Sequence, residues 1–213
     1  GGAAWPYLCL MSSFLNKAYT ARDAGETRAL YDDWAASYEA DITAQGYATP
    51  ARCAAALRKY VQDTDVPVLD FGCGTGLSGQ ALRDAGFDVI DGVDLSSEML
   101  ALAQDKAIYR SLTRIKGGKT LPFADGTYSL IAAVGAIGSG AAPAGMLHTL
   151  MRKLPKGGKL VFSLNDHALK DPACEGTLSE WTDCGAARLL MREDGPHLPE
   201  INLNGTIYVI EKA

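Results

Sequence analysis

The residues in this chain that can do chemistry gather first around a glycine loop. Val68-Leu-Asp70-Phe-Gly72-Cys73-Gly74-Thr-Gly76 sets a carboxylate two residues ahead of alternating glycines. Glycines at a strand end permit a tight turn and let the backbone approach a ligand closely. A second carboxylate, Asp94, follows 18 residues after Gly76, near the ~20-residue offset of an acid that holds a ribose. Its two oxygens can accept from two adjacent hydroxyls. Taken singly, the loop can be a bare turn and Asp94 a helix cap. Together, at the ends of successive strands, they point to a bound nucleoside.

The loop discriminates among nucleoside ligands. Gly74-Thr-Gly76-Leu-Ser-Gly79 matches the G-x-G-x-x-G of dinucleotide folds. It starts four residues after Asp70, however, and that carboxylate would repel a pyrophosphate. The loop does not end in Gly-Lys-Ser/Thr, which excludes a P-loop here. A ligand carrying positive charge suits Asp70 better, and S-adenosylmethionine offers an ammonium and a sulfonium.

Other reactive side chains carry less signal. His148 sits mid-helix among apolar residues and reads as packed or solvated. His167, in Asn165-Asp-His167-Ala, follows a strand at the sheet's carboxyl end, where open α/β sheets bind ligands. Asn165 and His167 are therefore candidate substrate contacts. His197 lies in a Gly-Pro-His-Leu-Pro loop that indicates nothing further. Tyr31 and Tyr38 are candidates for a lid over the site, against simple helix packing. Cys73 has no local base or cation to activate it and reads as a small filler. No catalytic residue and no metal ligand is assigned. The five cysteines, Cys9, Cys53, Cys73, Cys174 and Cys184, show no C-x-x-C pair and read as reduced thiols of a cytoplasmic protein.

The elements that must position these residues alternate. Residues 25–40 are helix-compatible, with Tyr31, Trp34 and Tyr38 on one face. Thr49-Pro50 reads as N-cap and first residue of a helix through Val61. Val66–Phe71 reads as a strand, and Leu77–Ala85 as a helix closed by Gly86. A strand at Asp88–Asp94 precedes a helix capped by Ser96 or Ser97 that runs to about Tyr109. Ser111–Ile115, Tyr128–Val134 and Lys159–Leu164 read as further strands, with a helix opened by Pro143 before the last. Residues 173–184 read as helix, and Ala187–Met191 and Gly205–Ile210 as a late pair of strands. The fold class is α/β: a Rossmann-like, mostly parallel sheet with helices on both faces and an antiparallel C-terminal edge pair. Residues 1–20 are set aside as an N-terminal extension or expression remnant, with Met11 as an alternative initiator. Residues 21–213 form one domain whose helical cap spans about 25–60.

Bulk properties narrow the partners. The chain has 213 residues, 47% hydrophobic and 21% charged, enough to bury a full core. A net charge of -5 disfavours a nucleic-acid partner. No apolar run approaches the ~20 residues of a membrane span. Oligomeric state is not written in the sequence.

Val68-Leu-Asp-Phe-Gly-Cys-Gly-Thr-Gly-Leu77 followed by Asp91-Gly-Val-Asp-Leu-Ser-Ser-Glu-Met-Leu100 resembles the first two motifs of class I S-adenosylmethionine-dependent methyltransferases. Leu121-Pro-Phe-Ala-Asp-Gly-Thr-Tyr128 is similar to their segment before the fourth strand, and Leu154-Pro-Lys-Gly-Gly-Lys-Leu-Val161 to their turn into the fifth. Tyr31-Asp-Asp-Trp-Ala-Ala-Ser-Tyr38 is similar to a segment of small-molecule members. More narrowly, the chain resembles the Williams–Beuren-region methyltransferase-like group. The resemblance implies that Gly72, Gly74 and Gly76, with Cys73 between them, approach the methionine part of the cofactor. It implies that Asp70 helps hold the ammonium, directly or through water, and that Asp94 takes the ribose hydroxyls. Leu95 and Met99 would lie near adenine, and Gly135-Ala136 would line the methyl-transfer side. Three departures stand out. Lys116-Gly-Gly-Lys-Thr120 carries no acid for the adenine amino group, so adenine recognition must use backbone groups or be weaker. Tyr128-Ser129 stands where relatives often have Phe-Asp. Residues 137–142 lack the His or aromatic often found there.

The expected function is methyl transfer from S-adenosylmethionine, leaving S-adenosylhomocysteine, to a small-molecule acceptor by in-line displacement. Its competitors are a catalytically silent regulatory protein that binds either form of the cofactor, and an NAD(P)-dependent oxidoreductase. The reading predicts micromolar-range binding of S-adenosylmethionine or its demethylated product, lost in Asp94→Ala. Calorimetry on folded protein checks it, and binding that survives the substitution contradicts it.

Overall fold

Strands buried on both faces need apolar residues at every position rather than every second one. Leu130–Ala133 meets that condition throughout, and Val68–Phe71 and the interior of Lys159–Asn165 meet it except at Asp70 and Ser163; these three buried strands form the sheet centre. The computed structural model describes residues 14–20, 23–118, 120–138 and 140–213. Cys9 and Met11, and most of the segment set aside above, lie outside the described residues.

In chain order the elements are α1 (residues 14–20), α2 (Ala24–Ala44), α3 (Thr49–Arg58), β1 (Val68–Phe71), α4 (Leu77–Asp84), β2 (Ile90–Asp94), α5 (Ser97–Asp105) and β3 (Ser111–Arg114). They continue with β4 (Leu130–Ala133), α6 (Gly145–Lys153), β5 (Lys159–Asn165), α7 (Pro172–Asp183), β6 (Ala187–Leu198) and β7 (Leu203–Lys212). One seven-stranded sheet has the order β3-β2-β1-β4-β5-β7-β6. The first five strands in that order are mutually parallel; β7 runs antiparallel to both β5 and β6. This is the expected architecture, including the antiparallel edge pair.

Side chains alternate across the sheet. Val68, Leu130, Ala132 and Val161 face one layer with Leu57 of α3 and Leu82 of α4. Leu69, Phe71, Ile131 and Phe162 face the other, with Leu147 and Leu150 of α6. A third cluster lies over the sheet's carboxyl edge: Trp34 and Ile42 of α2 pack with Leu198 and Leu203. Trp34 is fully buried and donates its indole N–H to Asp41 at 2.7 Å. Asp32 accepts from Ser96, and Glu39 pairs with Lys106, so α2 is pinned to α5 as a roof.

Four expectations about elements are corrected. The helix α5 stops at Asp105 instead of Tyr109, because Ala107 adopts a left-handed φ of 54° and turns the chain inward. Thr49 is the first helical residue, not the cap; its hydroxyl is committed to His197, and Ala48 stands at the cap. The helix α2 reaches Ala44. The strand β6 extends seven residues past Met191 to Leu198. Its charged and Gly-Pro composition suggested a loop, but an edge strand tolerates both, since one side of its ladder faces solvent.

Arg52 of α3 grips this edge. Its guanidinium donates to the carbonyls of Pro196, Gly205 and Glu193 at 2.9–3.1 Å, and it occupies the space a side chain at Gly195 would need. Charged donors to carbonyls contribute more than neutral ones. Arg52→Ala is expected to cost about 2–3 kcal/mol, read by urea unfolding; a loss below about 0.5 kcal/mol would contradict the role.

Candidate functional site

The sheet order reverses between β1 and β4, which opens a crevice at the carboxyl ends of the strands. The glycine loop closes its floor. Gly72 and Cys73 both donate their N–H to Val93 O, at 2.9 and 3.1 Å. Gly74 donates to Asp94 Oδ2 at 2.9 Å, and Ser96 N–H donates to Asp94 Oδ1 at 2.9 Å. Asp94 thereby ties the loop after β1 to the start of α5. Gly76, with φ 98°, caps α4 in a conformation that L side chains rarely adopt.

A cleft above this floor is lined by Gly72, Gly74, Asp94, Leu95, Met99 and Gly135, all expected there. Tyr31 and Tyr38 descend from α2, together with Thr27 and Arg28. A second cavity of ≈ 480 Å³ shares Phe71, Leu95 and Ile115 with it and adds Lys116, Gly117 and Gly118, with Asp23 and Asp171 also on its walls. A third cavity adjoins through Tyr31, Tyr38, Gly135 and Ala141. Its walls are Tyr19, Trp34, Tyr47, Asn165 and His197, under Leu15 and Ala18 of α1.

Three expected cofactor residues lie outside the cleft. Cys73 turns its sulfur toward Gly92 on β2, where a Cβ would sit 2.9 Å from it, and burial holds its thiol well above the ordinary range. Gly76 faces Lys106 and Tyr109. Asp70 is fully buried beneath the loop; its Oδ2 accepts from Ser78 Oγ and Tyr109 OH, both at 2.7 Å, while Oδ1 has no protein partner. Tyr109 reaches it through space left by Gly76, Gly79 and Gly92; a Cβ at Gly79 would stand 2.2 Å from its hydroxyl. The third glycine of the apparent dinucleotide pattern is therefore a seat for a tyrosine.

The histidines also rearrange. His167 does not enter the cavity. Asn165 Oδ1 accepts from the N–H groups of His167 and Ala168, turning the chain into a 3-10 helix at Ala168–Lys170, and the imidazole stacks on Tyr19 at 4.0 Å. His197 enters in its place. His148 bridges α6 and α7, accepting from Trp181 at 3.0 Å and facing Glu180 at 3.2 Å, as a packed helix histidine should. Tyr19, Arg28, Tyr47, Tyr109 and His197 were not singled out by sequence. A signal existed for Tyr109 alone, in Gly79 and Gly92, two glycines beyond the cofactor loop that leave it room.

The electrostatics leave the floor of the site short of positive charge. Burial raises both Asp70, to about 6, and Asp94, and each feels a neighbouring carboxylate as well. No lysine or arginine among the described residues bonds either one. Since the native state holds the Asp70 proton more tightly than the unfolded chain, whose carboxyl titrates near 3.8, ionisation of Asp70 opposes folding. Stability contributed at this position is thus lost as pH rises from about 4 through about 6. Urea midpoints measured across that window are expected to fall more steeply for the wild type than for Asp70→Asn; parallel profiles would contradict it.

Comparison with known proteins agrees with this geometry. Residues 45–198 match the methyltransferase domain family. The chain is 32% identical to human methyltransferase-like protein 27 over 143 residues, 66% of this chain and 58% of that protein. It is 37% identical to the bovine 18S rRNA (guanine-N(7))-methyltransferase over 76 residues, 36% of this chain and 27% of that protein. The chain thus spans little more than half of the first relative and about a quarter of the second. Among solved structures, the methyltransferase in a complex with the Haloferax volcanii Trm112 activator superposes with a TM-score of 0.64 at 17% identity, covering 86% of this chain and 96% of that one. An S-adenosylmethionine-dependent methyltransferase from Methanosarcina mazei gives 0.55 at 18%, covering 74% and 96%. With its acid-flanked glycine loop at the switch point of such a sheet, the chain belongs to the methyltransferase domain family, in the S-adenosylmethionine-dependent class I.

Proposed function

We propose that this domain transfers a methyl group from S-adenosylmethionine to a small molecule enclosed in the tyrosine-walled cavity beside the cleft. The observation that carries the reading is the continuity of the two spaces. Gly135, Tyr31 and Tyr38 line both, so a molecule in one meets a molecule in the other across a glycine without a side chain.

The residues present fit the donor. Its ammonium and sulfonium answer a floor with two raised carboxylates and an unpartnered Asp70 oxygen. A small cavity of ≈ 30 Å³ beside Thr75 and Ser78 is large enough for one water, by which Asp70 would reach the ammonium. Asp94 keeps lone pairs for the ribose hydroxyls beyond its two backbone partners. Arg28 on the cleft wall suits the donor's carboxylate. Leu95, Met99 and Ile115 offer apolar surface to the adenine. When bound, the donor supplies a methyl group already activated by the positive sulfur. The chain's own work is alignment, which alone is worth several kcal/mol, and exclusion of water by α1 and α2.

A second reading, an RNA base as acceptor, is favoured by the 18S rRNA methyltransferases among the relatives. The net charge of -5 and the closure of the cavity by Leu15, Ala18 and Tyr19 weigh against it. The test measures S-adenosylhomocysteine released from S-adenosylmethionine with pooled small acids, phenols, amines and thiols, and separately with an rRNA hairpin. Release with the pool alone is expected. Release with the hairpin alone would establish the second reading. Tight binding with no release from either would show a silent regulatory protein.

A further inference from the structure

His197 owes its place in the cavity to an irregularity of the sheet. Pro196 pairs with Asn204 and Leu198 with Leu203, so two steps on β6 meet one on β7 and His197 is the extra residue. Such a bulge re-aims a side chain, and bulges recur beside active sites. The bulged residue is held on three sides. Its carbonyl accepts from Ala48 N–H at 3.0 Å, its ring stands edge-on to Tyr47 at 5.3 Å, and its Nδ1 lies 2.6 Å from Thr49 Oγ1.

The contact with Thr49 decides the tautomer. Thr49 is 1% exposed, and its hydroxyl has no other acceptor among the described residues. A buried hydroxyl proton left without an acceptor is costly, so Thr49 donates to Nδ1. The ring proton then resides on Nε2. Burial keeps the imidazole neutral, with Arg52 and His167 adding to that effect and Asp166 opposing it.

The rest of the polar wall also donates. Asn165 spends its oxygen on the two N–H groups of the turn, which leaves its amide nitrogen as the free end. Tyr47 reaches Gly135, where a Cβ would lie 2.7 Å from its hydroxyl, and burial keeps it and Tyr38 protonated. Among the described residues no aspartate, glutamate, lysine or arginine lines this cavity, and Ser163 spends its hydroxyl oxygen on the Gly135 N–H. It therefore offers donors and no strong proton acceptor.

We propose that the acceptor is a carboxylate on a small apolar body, with His197 Nε2–H, Asn165 and Tyr47 as the donors that recognise it. The proposal rests on the methyl-transfer reading and names its substrate class. A carboxyl group is already ionised at neutral pH, whereas a phenol, with a pKa near 10, is not; no base is then needed, and the described lining supplies no carboxylate or lysine as one. One carboxylate oxygen is held by the donors. The other gives its electron pair to the methyl carbon, the carbon–sulfur pair returns to sulfur, and a neutral methyl ester and thioether result with no proton left over.

The test uses the full chain loaded with S-adenosylhomocysteine, with benzoate, benzyl alcohol and benzylamine as probes. Calorimetry is expected to show benzoate binding at least tenfold more tightly than either neutral or cationic probe. Tyr47→Phe and Asn165→Leu are each expected to weaken benzoate about tenfold or more and to leave S-adenosylhomocysteine within twofold. Nitrogen-15 spectra of the three histidines, assigned by His197→Gln, are expected to show His197 neutral and protonated at Nε2, with the Nε2–H signal shifting on benzoate addition. Thr49→Val is expected to mix the tautomers and Thr49→Ser to restore the single form. Protonation at Nδ1 alone, or benzoate binding no better than the alcohol, overturns the inference. Failure to bind S-adenosylhomocysteine overturns the methyl-donor reading instead.

Discussion

One buried and one half-buried carboxylate, Asp70 and Asp94, near the ends of adjacent parallel strands, with no basic side chain among the described residues bonded to either, set the terms for the rest of this structure. Removing an ion from water costs several kcal/mol even after relaxation. The protein meets part of that cost with fixed dipoles. Asp94 takes the N–H groups of Gly74 and Ser96, and Asp70 takes the hydroxyls of Ser78 and Tyr109. What remains favours a cation in the cleft. The glycines serve this arrangement twice: some line the cleft with backbone, and others make room for the tyrosine that supports Asp70.

The C-terminal hairpin supplies the other half of the proposed site. With β7 antiparallel between β5 and β6, the hairpin end near Leu198 and Leu203 comes under the roof helix, beside Trp34. Arg52 and Thr49 on α3 then hold that end by backbone and side chain together. Phe162 and Tyr208, stacked at 4.7 Å across the β5–β7 pair, make the junction rigid. The site is thus built on ordered elements at every wall, which suits a reaction whose main requirement is alignment.

Residues whose roles follow from nearby chain were legible. The glycine loop, Asp94 and the apolar strands follow from backbone conformation and from burial on two faces, both written within a few residues. Residues whose roles depend on distant chain were not. Tyr109 looked like the end of a helix because the turn at Ala107 uses a residue type that rarely adopts it. His167 looked better placed than His197, since it follows a strand at the correct end of the sheet. The turn made by Asn165 sends it under Tyr19, and a bulge on the edge strand brings His197 in.

The proposed methyl-donor end of the site is accordingly a property of local sequence: a strand, a glycine turn and an acid on the next strand suffice to specify it. The proposed acceptor end is a property of the fold. Its walls come from α1, α2, the segment at Tyr47, β5 and the bulge in β6, brought together by sheet order and by the grip of α3 on the hairpin. No periodicity links residues so far apart in the chain. Their chemistry emerges only once long-range packing decides which way each side chain points.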